Sequence, residues 1–445
     1  MEEKRSGVSR RSFLKTGSVL AAAGFFAGAP RVHAAENNTI KLALIGCGNR
    51  GSGAIRQALA ADPNTKLYAV ADAFQDKADA IVNALTEVEE EGRVDVPAER
   101  RFIGLAGYRD AIDSLDPGDV VILATDQVFR ALHFEYAVQK GLNVFAEKPL
   151  AVDVPNLKRI QAANKIALEK NLKVSVGLNN RHYLRTEETI AAIHDGVMGD
   201  ITSCWVYRSQ DPHNLKPKGD YTELQHQIRN IFCFDWTSGG FIVDALIHNI
   251  DISCWAKGAW PIAAQGVGGR ISRKVKDQLI EFASVEYLFP DSTKLMLQTR
   301  TMPNVWHYFA SNIIGTKGCS QVGEGVGDPR IYAGNDMNSD NRKVIWEPTK
   351  GGNDSYQEEH NRLFAAIRED KQWNEIERSV QATFVGILGR MAQQTGQRLT
   401  AEQGWTSTFE YVPNIDQLSI DDDSPCMPDE NGNYFIPVPG EFQFS

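Results

Sequence analysis

A glycine-spaced hexapeptide, Gly46-Cys47-Gly48-Asn49-Arg50-Gly51, stands between a β-branched apolar run, Ile40–Ile45, and an amphipathic stretch, Ser52–Ala61. In that setting the first glycine permits a tight turn, the second lets backbone approach a pyrophosphate, and the third lets a helix lie close to the strand. The helix start, with Asn49 and Arg50 beside it, offers unpaired N–H groups to the anion. The next β-branched run, Lys66–Ala71, ends at Asp72. A carboxylate there accepts from both ribose hydroxyls and repels a 2′-phosphate. Gly46, Gly48, Asn49, Arg50, Gly51 and Asp72 therefore predict a dinucleotide site that takes NAD in preference to NADP.

The pattern around this motif predicts the first half of the fold. Further strands are expected at Val120–Ala124, Asn143–Ala146 and Lys173–Val176, and helices at Asp76–Ala84, Arg130–Lys140 and Asn156–Lys170. Strands separated by helices of that length imply right-handed crossovers and a doubly wound parallel sheet. Charge-rich Glu87–Arg101 reads as a solvated loop or helix end.

After Val176 the texture changes. A helix at Thr186–His194 leads to a strand at Ile201–Arg208, a long polar loop at Ser209–Leu224 and a helix from Gly240 to Ala256. Runs at Leu279–Phe289, Lys294–Met302, Ser311–Gly315, Gln321–Gly323, Arg330–Ala333 and Val344–Glu347 read as an open, mostly antiparallel sheet. Helices at Tyr356–Glu369 and Glu377–Gln394 close the pattern. The expected class is α/β, a Rossmann domain at 35–177 followed by an α+β domain at 178–413, with an extended surface tail at 414–445.

Residues 1–34 read as a removable leader. Ser9-Arg10-Arg11-Ser12-Phe13-Leu14-Lys15 precedes an apolar stretch, Val19–Phe26, and Val32-His33-Ala34 offers a small-residue cleavage site. Paired arginines in that context address a folded protein to the twin-arginine export route, so a periplasmic or otherwise exported location is expected. No stretch is long and apolar enough to span a bilayer. Outside the cytoplasm no soluble nicotinamide pool exists, so the cofactor must travel with the protein and be regenerated in place.

Removing the leader's net +4 from the formal −10 leaves −14 on the remaining chain, which argues against nucleic acid or anionic lipid as a partner. The six cysteines show no metal-ligand or redox spacing and read as buried small side chains.

Three residues stand out chemically. Lys148, in Glu147-Lys148-Pro149, follows the fourth expected strand, at the sheet end where ligands of such folds bind. There it can lie over a nicotinamide and donate to a substrate hydroxyl. Asp244 and His248 are four apart on an expected helix and would share a face, the aspartate orienting and charge-stabilising the ring as a proton-transfer unit. A helix–helix polar contact is the plainer alternative, and with no third ligand at suggestive spacing no metal is expected. Trp205, Tyr207, Trp236, Trp255 and Trp260 fall in the same region. They would serve as platforms for sugar rings or as ordinary packing.

Several segments together resemble the glucose–fructose oxidoreductase/inositol dehydrogenase (Gfo/Idh/MocA) family. They are Leu44–Gly51, Val70–Asp72, Leu123–Thr125, Gly141–Leu150, Val176–His182, Gly199–Ile201 and Gly239–Asp251. The resemblance implies Lys148, Asp244 and His248 as the catalytic set, Thr125 and Glu147 beside the cofactor, and Asn180, Arg181 and His182 toward substrate. Arg229 and Trp236 are counted with the substrate-facing residues. It further implies a homo-oligomer joined through the C-terminal sheet.

Two departures from the family pattern are plain. Asp126-Gln127-Val128 replaces a proline-containing segment, and Ser209–Phe234 has no counterpart in simple inositol dehydrogenases. The expected activity is an NAD-dependent oxidation of a ring hydroxyl on a sugar, glycoside or cyclitol. The alternatives are an NAD-dependent glycosidase working by transient C3 oxidation and elimination, and a non-catalytic sugar-binding protein.

Overall fold

Alternate side chains of the first strand, β1 (Ile40–Ile45), go to opposite faces, and both faces are covered. Ile40, Leu42 and Leu44 pack with Ala54, Ile55 and Leu59 of the helix Asn49–Ala61, while Ala43 and Ile45 belong to the core of the other face. A strand apolar on both sides needs this double shelter, which helical crossovers supply. The computed structural model describes residues 38–337 and 341–444, so the leader with its paired arginines lies outside the described residues.

β1, β2 (Thr65–Asp72), β3 (Arg101–Ile103), β4 (Val120–Leu123), β5 (Asn143–Ala146) and β6 (Val174–Val176) form a parallel sheet ordered β3-β2-β1-β4-β5-β6. Winding reverses between β1 and β4, which opens a crevice beyond their carboxyl ends. β3 falls at the end of the segment expected to be a loop or helix end: it is a three-residue edge strand, too short for an alternating pattern. Lys148 therefore follows the fifth strand, not the fourth.

The second sheet has nine strands. They are β7 (Ile201–Gln210), β8 (Ala263–Gly269), β9 (Phe282–Leu288), β10 (Lys294–Thr301), β11 (Tyr308–Gly315), β12 (Gly318–Val322), β13 (Ile331–Ala333), β14 (Val344–Trp346) and β15 (Leu399–Thr400). Their order is β14-β13-β12-β11-β7-β10-β9-β8-β15, antiparallel except where β7 meets β10. The buried helix Ile376–Thr395 lies against β8 and β9. β8 escapes sequence reading because it is glycine-rich. A Cβ on Gly268 would fall 2.5 Å from Phe282 O and 2.8 Å from the Gln393 side chain, so the glycine permits helix and strand to approach closely.

The helix Ser355–Arg368 returns to the first sheet, where Leu363, Phe364 and Ile367 join the core of β1 and β2. Among its described residues, the tail beyond residue 413 has only a short 3-10 turn, Ile415–Gln417, and otherwise runs as coil over the surface. Five of the six cysteines are buried and none is disulfide-bonded.

Candidate active site

Each glycine of the hexapeptide has a distinct steric reason. Gly46 has φ +93°, and a Cβ there would lie 2.6 Å from main-chain atoms of Ala124 and Thr125. A Cβ on Gly51 would fall 1.9 Å from Gly46 O. At Gly48 no heavy atom lies within 4 Å of the Cβ position, which leaves the approach to the helix start open. The N-cap there makes no side-chain hydrogen bond. That open cradle at unpaired N–H groups is where a pyrophosphate fits.

Asp72 ends β2 with both oxygens engaged by main chain, Oδ2 accepting from Cys47 N at 2.7 Å and Oδ1 from Phe74 N at 2.9 Å. Burial raises its pKa above the usual carboxylate value, and the two N–H donors pull it back. Each oxygen keeps a lone pair for a ribose hydroxyl. A cavity of about 470 Å³ joins Gly48, Asp72, Thr125 and Asp126 to residues of the segment 213–233. Gly48, Asp72 and their neighbours thus fit a dinucleotide.

The segment 213–233, expected in large part as an open loop, forms the far wall. Arg229 closes it, donating to both carboxylate oxygens of Asp76 at 2.5 and 3.2 Å and stacking on Phe74 and Tyr221 with its carbon 3.9 and 4.4 Å from the ring centres. From behind, Gln227 Nε2 donates to Cys426 O at 2.6 Å and Tyr434 donates to Glu223 at 2.5 Å, so the C-terminal tail backs this wall.

Beside the cavity, Arg50 donates to Glu147, to Glu359 at 3.1 Å and to Gln57 at 3.0 Å, under the ring of Tyr356. Buried Arg130 donates to the main-chain oxygens of Thr125, Glu147 and Pro149, tying the tips of β4 and β5 together. Burial lowers its pKa to about 10, which keeps it charged at neutral pH. Thr125 Oγ1 lies 3.2 Å from His133 Nδ1.

The catalytic candidates converge, with one correction. Lys148 Nζ donates to Asp244 O at 2.8 Å and lies 3.4 Å from Asp244 Oδ1, which also accepts from Gln127 Nε2 at 2.7 Å. The expected continuous helix breaks at Ala245-Leu246 into Gly240–Asp244 and Ile247–Lys257. Asp244 therefore does not orient the imidazole: its carboxylate serves Lys148 and Gln127, and His248 Nδ1 is buried without a partner. Burial, helped by the positive charges of Lys148, Arg208 and Arg50, holds the His248 pKa well below the ordinary imidazole value, so the ring is neutral. Arg208, on β7, donates to Ala245 O at 2.8 Å at that helix break.

The residues expected to face substrate are not gathered into one group. Asn180 is half-buried on the 3-10 turn Asn179–His182. Arg181 is committed to a two-pronged pair with Asp251, both contacts at 2.7 Å, against the Trp255 ring. His182 is buried with Nε2 3.2 Å from Glu375. Trp236 is a core residue whose indole N–H donates to Gln227 Oε1 at 2.6 Å. Arg229 belongs to the Asp72 end of the cavity.

Gln127, Arg130 and Arg208 were not singled out as site residues. Only the departure from the family pattern at 126–128 pointed to Gln127. Lone arginines on a helix and a strand carry no signal of a site.

Comparison with known proteins agrees with this geometry. Residues 40–178 match the family model described as "Oxidoreductase family, NAD-binding Rossmann fold". Inositol 2-dehydrogenase of Rhizobium meliloti is 26% identical over 253 residues, 56% of this chain and 64% of its own. A glycosyl hydrolase family 109 protein of Streptomyces coelicolor is 30% identical over 170 residues, 38% of this chain and 34% of its own. The chain thus spans less than two thirds of either relative. Scyllo-inositol dehydrogenase of Lactobacillus casei, solved with NAD(H) and scyllo-inositol, shares the fold at TM-score 0.61 and 20% identity, over 82% of this chain and 100% of its own. Over residues 40–178 the chain is thus similar to an oxidoreductase family and carries the NAD-binding Rossmann fold described for it.

Proposed function

We propose that the protein oxidises a ring hydroxyl of a sugar, glycoside or cyclitol, passing the hydride to NAD that it retains and that a second sugar or a quinone-linked acceptor reoxidises in place. The observation that carries this reading is a lysine, Lys148, held by Asp244 at the tip of β5, near a neutral histidine; it is not itself in the cavity lining, but β5 pairs with β4, and Thr125 and Asp126 just past β4 line the cavity. Bound NAD would supply the hydride acceptor. Gly48 and the helix start would hold its pyrophosphate and Asp72 its adenosine ribose.

The proton chemistry falls to this chain's own groups. Lys148 directs an N–H to the substrate oxygen, favouring the negative charge that grows there as the hydroxyl proton leaves. Neutral His248 accepts the hydroxyl proton. Arg130 keeps the tips of β4 and β5 in register, so the lysine and the cavity stay in fixed relation.

Retention is supported by the segment 213–233, clasped across the cavity by Arg229 and Asp76. The leader's paired arginines support export of the folded, loaded protein. Trp205, Tyr207, Trp306 and Tyr308, in mutual ring contact on the second sheet and its flank, support assembly of copies through that sheet. A second reading, an NAD-dependent glycosidase with no net redox change, is favoured by the similarity to the glycosyl hydrolase family 109 protein.

Mass spectrometry of the denatured, freshly purified protein should release NAD. Incubation with a panel of glycosides and cyclitols should then yield a keto product for the oxidoreductase, or released aglycone without a lasting keto sugar for the glycosidase. Absence of NAD and of both products would leave the sugar-binding alternative.

A further inference from the structure

We infer that Gln127 is a positioning residue for the proposed reaction, setting how Asp244 divides its carboxylate between a fixed partner and Lys148. The inference rests on the oxidoreductase reading above and adds a residue to it.

Gln127 opens the 3-10 turn Gln127–Phe129 just past β4 and is 4% exposed. Its Nε2 donates to Asp244 Oδ1 at 2.7 Å. Only the nitrogen end of an amide can face an ionised carboxylate, so the side chain's orientation is fixed by chemistry. The other end, Oε1, is buried with no partner. An apolar side chain of the same shape would avoid that unsatisfied acceptor, so packing alone does not account for an amide here. What the amide adds is its nitrogen's grip on Asp244.

Lys148 has three N–H donors. One goes to Asp244 O at 2.8 Å, and the ammonium approaches Asp244 Oδ1 only to 3.4 Å, at the oxygen Gln127 already holds. Gln127 thus has the better geometry at Oδ1 and keeps the ammonium from closing fully onto the carboxylate. The third N–H is left for the substrate oxygen, and the weak 3.4 Å contact leaves the ammonium free to move toward it. Without Gln127, Oδ1 would become a full partner of the ammonium, drawing it off the substrate and stabilising its charged form.

The test uses the holoprotein with Gln127→Leu and Gln127→Glu. Labelling of Lys148 by trace acetic anhydride, read by peptide mass spectrometry at fixed pH, needs no substrate. Because acylation requires the uncharged amine, Gln127→Leu should label roughly threefold more slowly than wild type. With whichever panel sugar is consumed, its kcat should fall about tenfold while KM stays within about twofold. Gln127→Glu can donate to Asp244 only while its new carboxyl is protonated, so its activity should recover toward acid pH and fall as that carboxyl ionises. A purely structural role would not produce that profile.

Gln127→Leu matching wild type in labelling, or Gln127→Glu following the wild-type pH profile, overturns the inference. If Gln127→Leu fails to fold, the pH profile of Gln127→Glu decides. Lys148→Ala separates the two levels. Unchanged turnover there sinks the oxidoreductase reading itself. Lost turnover there, with both Gln127 variants behaving as wild type, sinks only the role of Gln127.

Discussion

Lys148 and Asp244 meet twice, once through the main-chain oxygen of Asp244 at 2.8 Å and once, more distantly, through its carboxylate at 3.4 Å. The main-chain bond survives replacement of the Asp244 side chain. Asp244→Asn should therefore lower kcat by about 10- to 100-fold, and Lys148→Ala by about 1000-fold or more, each with NAD still bound. Equal losses in steady-state assays would mean that the carboxylate alone holds the lysine.

His133, His248 and His360 are buried as neutral rings. Burial takes His133 to about 3, and holds His248 and His360 well below the ordinary imidazole value. The unfolded chain binds these protons near pH ~6.5 and the native chain does not, so this contribution is complete above that pH and is lost as pH falls toward the native values. Each ring should cost up to about 1.4 kcal/mol of stability per pH unit across that window. His360 stacks on Phe145 with ring centres 4.1 Å apart and has both nitrogens unpartnered. His360→Phe should keep the stack and give a shallower decline in urea midpoint between pH 6.5 and 5. A slope identical to wild type would contradict this.

The Arg229–Asp76 pair ties the segment 213–233, which lines the cavity, to the helix Gln75–Thr86. Arg229→Ala should accelerate NAD loss by about 10- to 100-fold, since it removes both a charge-assisted pair and a stacked cation. The measurement is NAD remaining after extensive dialysis, with thermal unfolding as a check on folding. Retention equal to wild type would mean that the clasp does not govern cofactor exchange.

Asp72 accepts a main-chain N–H on each oxygen. In Asp72→Asn an amide N–H₂ must face one of those donors, and the charge opposing a 2′-phosphate is gone. NAD affinity should fall by about 10-fold or more and the preference over NADP should narrow, as read by calorimetry on stripped protein. An unchanged preference would assign discrimination to another residue.

What was legible in the sequence follows physical locality. The glycine hexapeptide, Asp72 and Lys148 sit at strand ends whose apolar runs announce them, and the structure keeps those runs nearly to the residue. Gly266, Gly268 and Gly269 hide β8 because they remove the side chains that signal a strand, Gly268 at a close contact with the helix and Gly266 at one with β9. The break at Ala245-Leu246 was invisible because the apolar spacing continues across it, and it carried the error about Asp244 and His248. Gln127 and Arg130 act on segments far along the chain or on main-chain oxygens, which no local pattern records. Trp236 looked like a sugar platform but is spent in the core.

Leu363, Phe364 and Ile367 complete a core whose other members begin at Ile40, and Glu359, on the same helix, helps grip Arg50. The nucleotide half is therefore not finished when its own six strands have been synthesised. The last helix of that core leaves the ribosome more than three hundred residues after its first strand. A chain cut short of that helix would therefore lack part of the core of the first sheet and one of the carboxylates that hold Arg50.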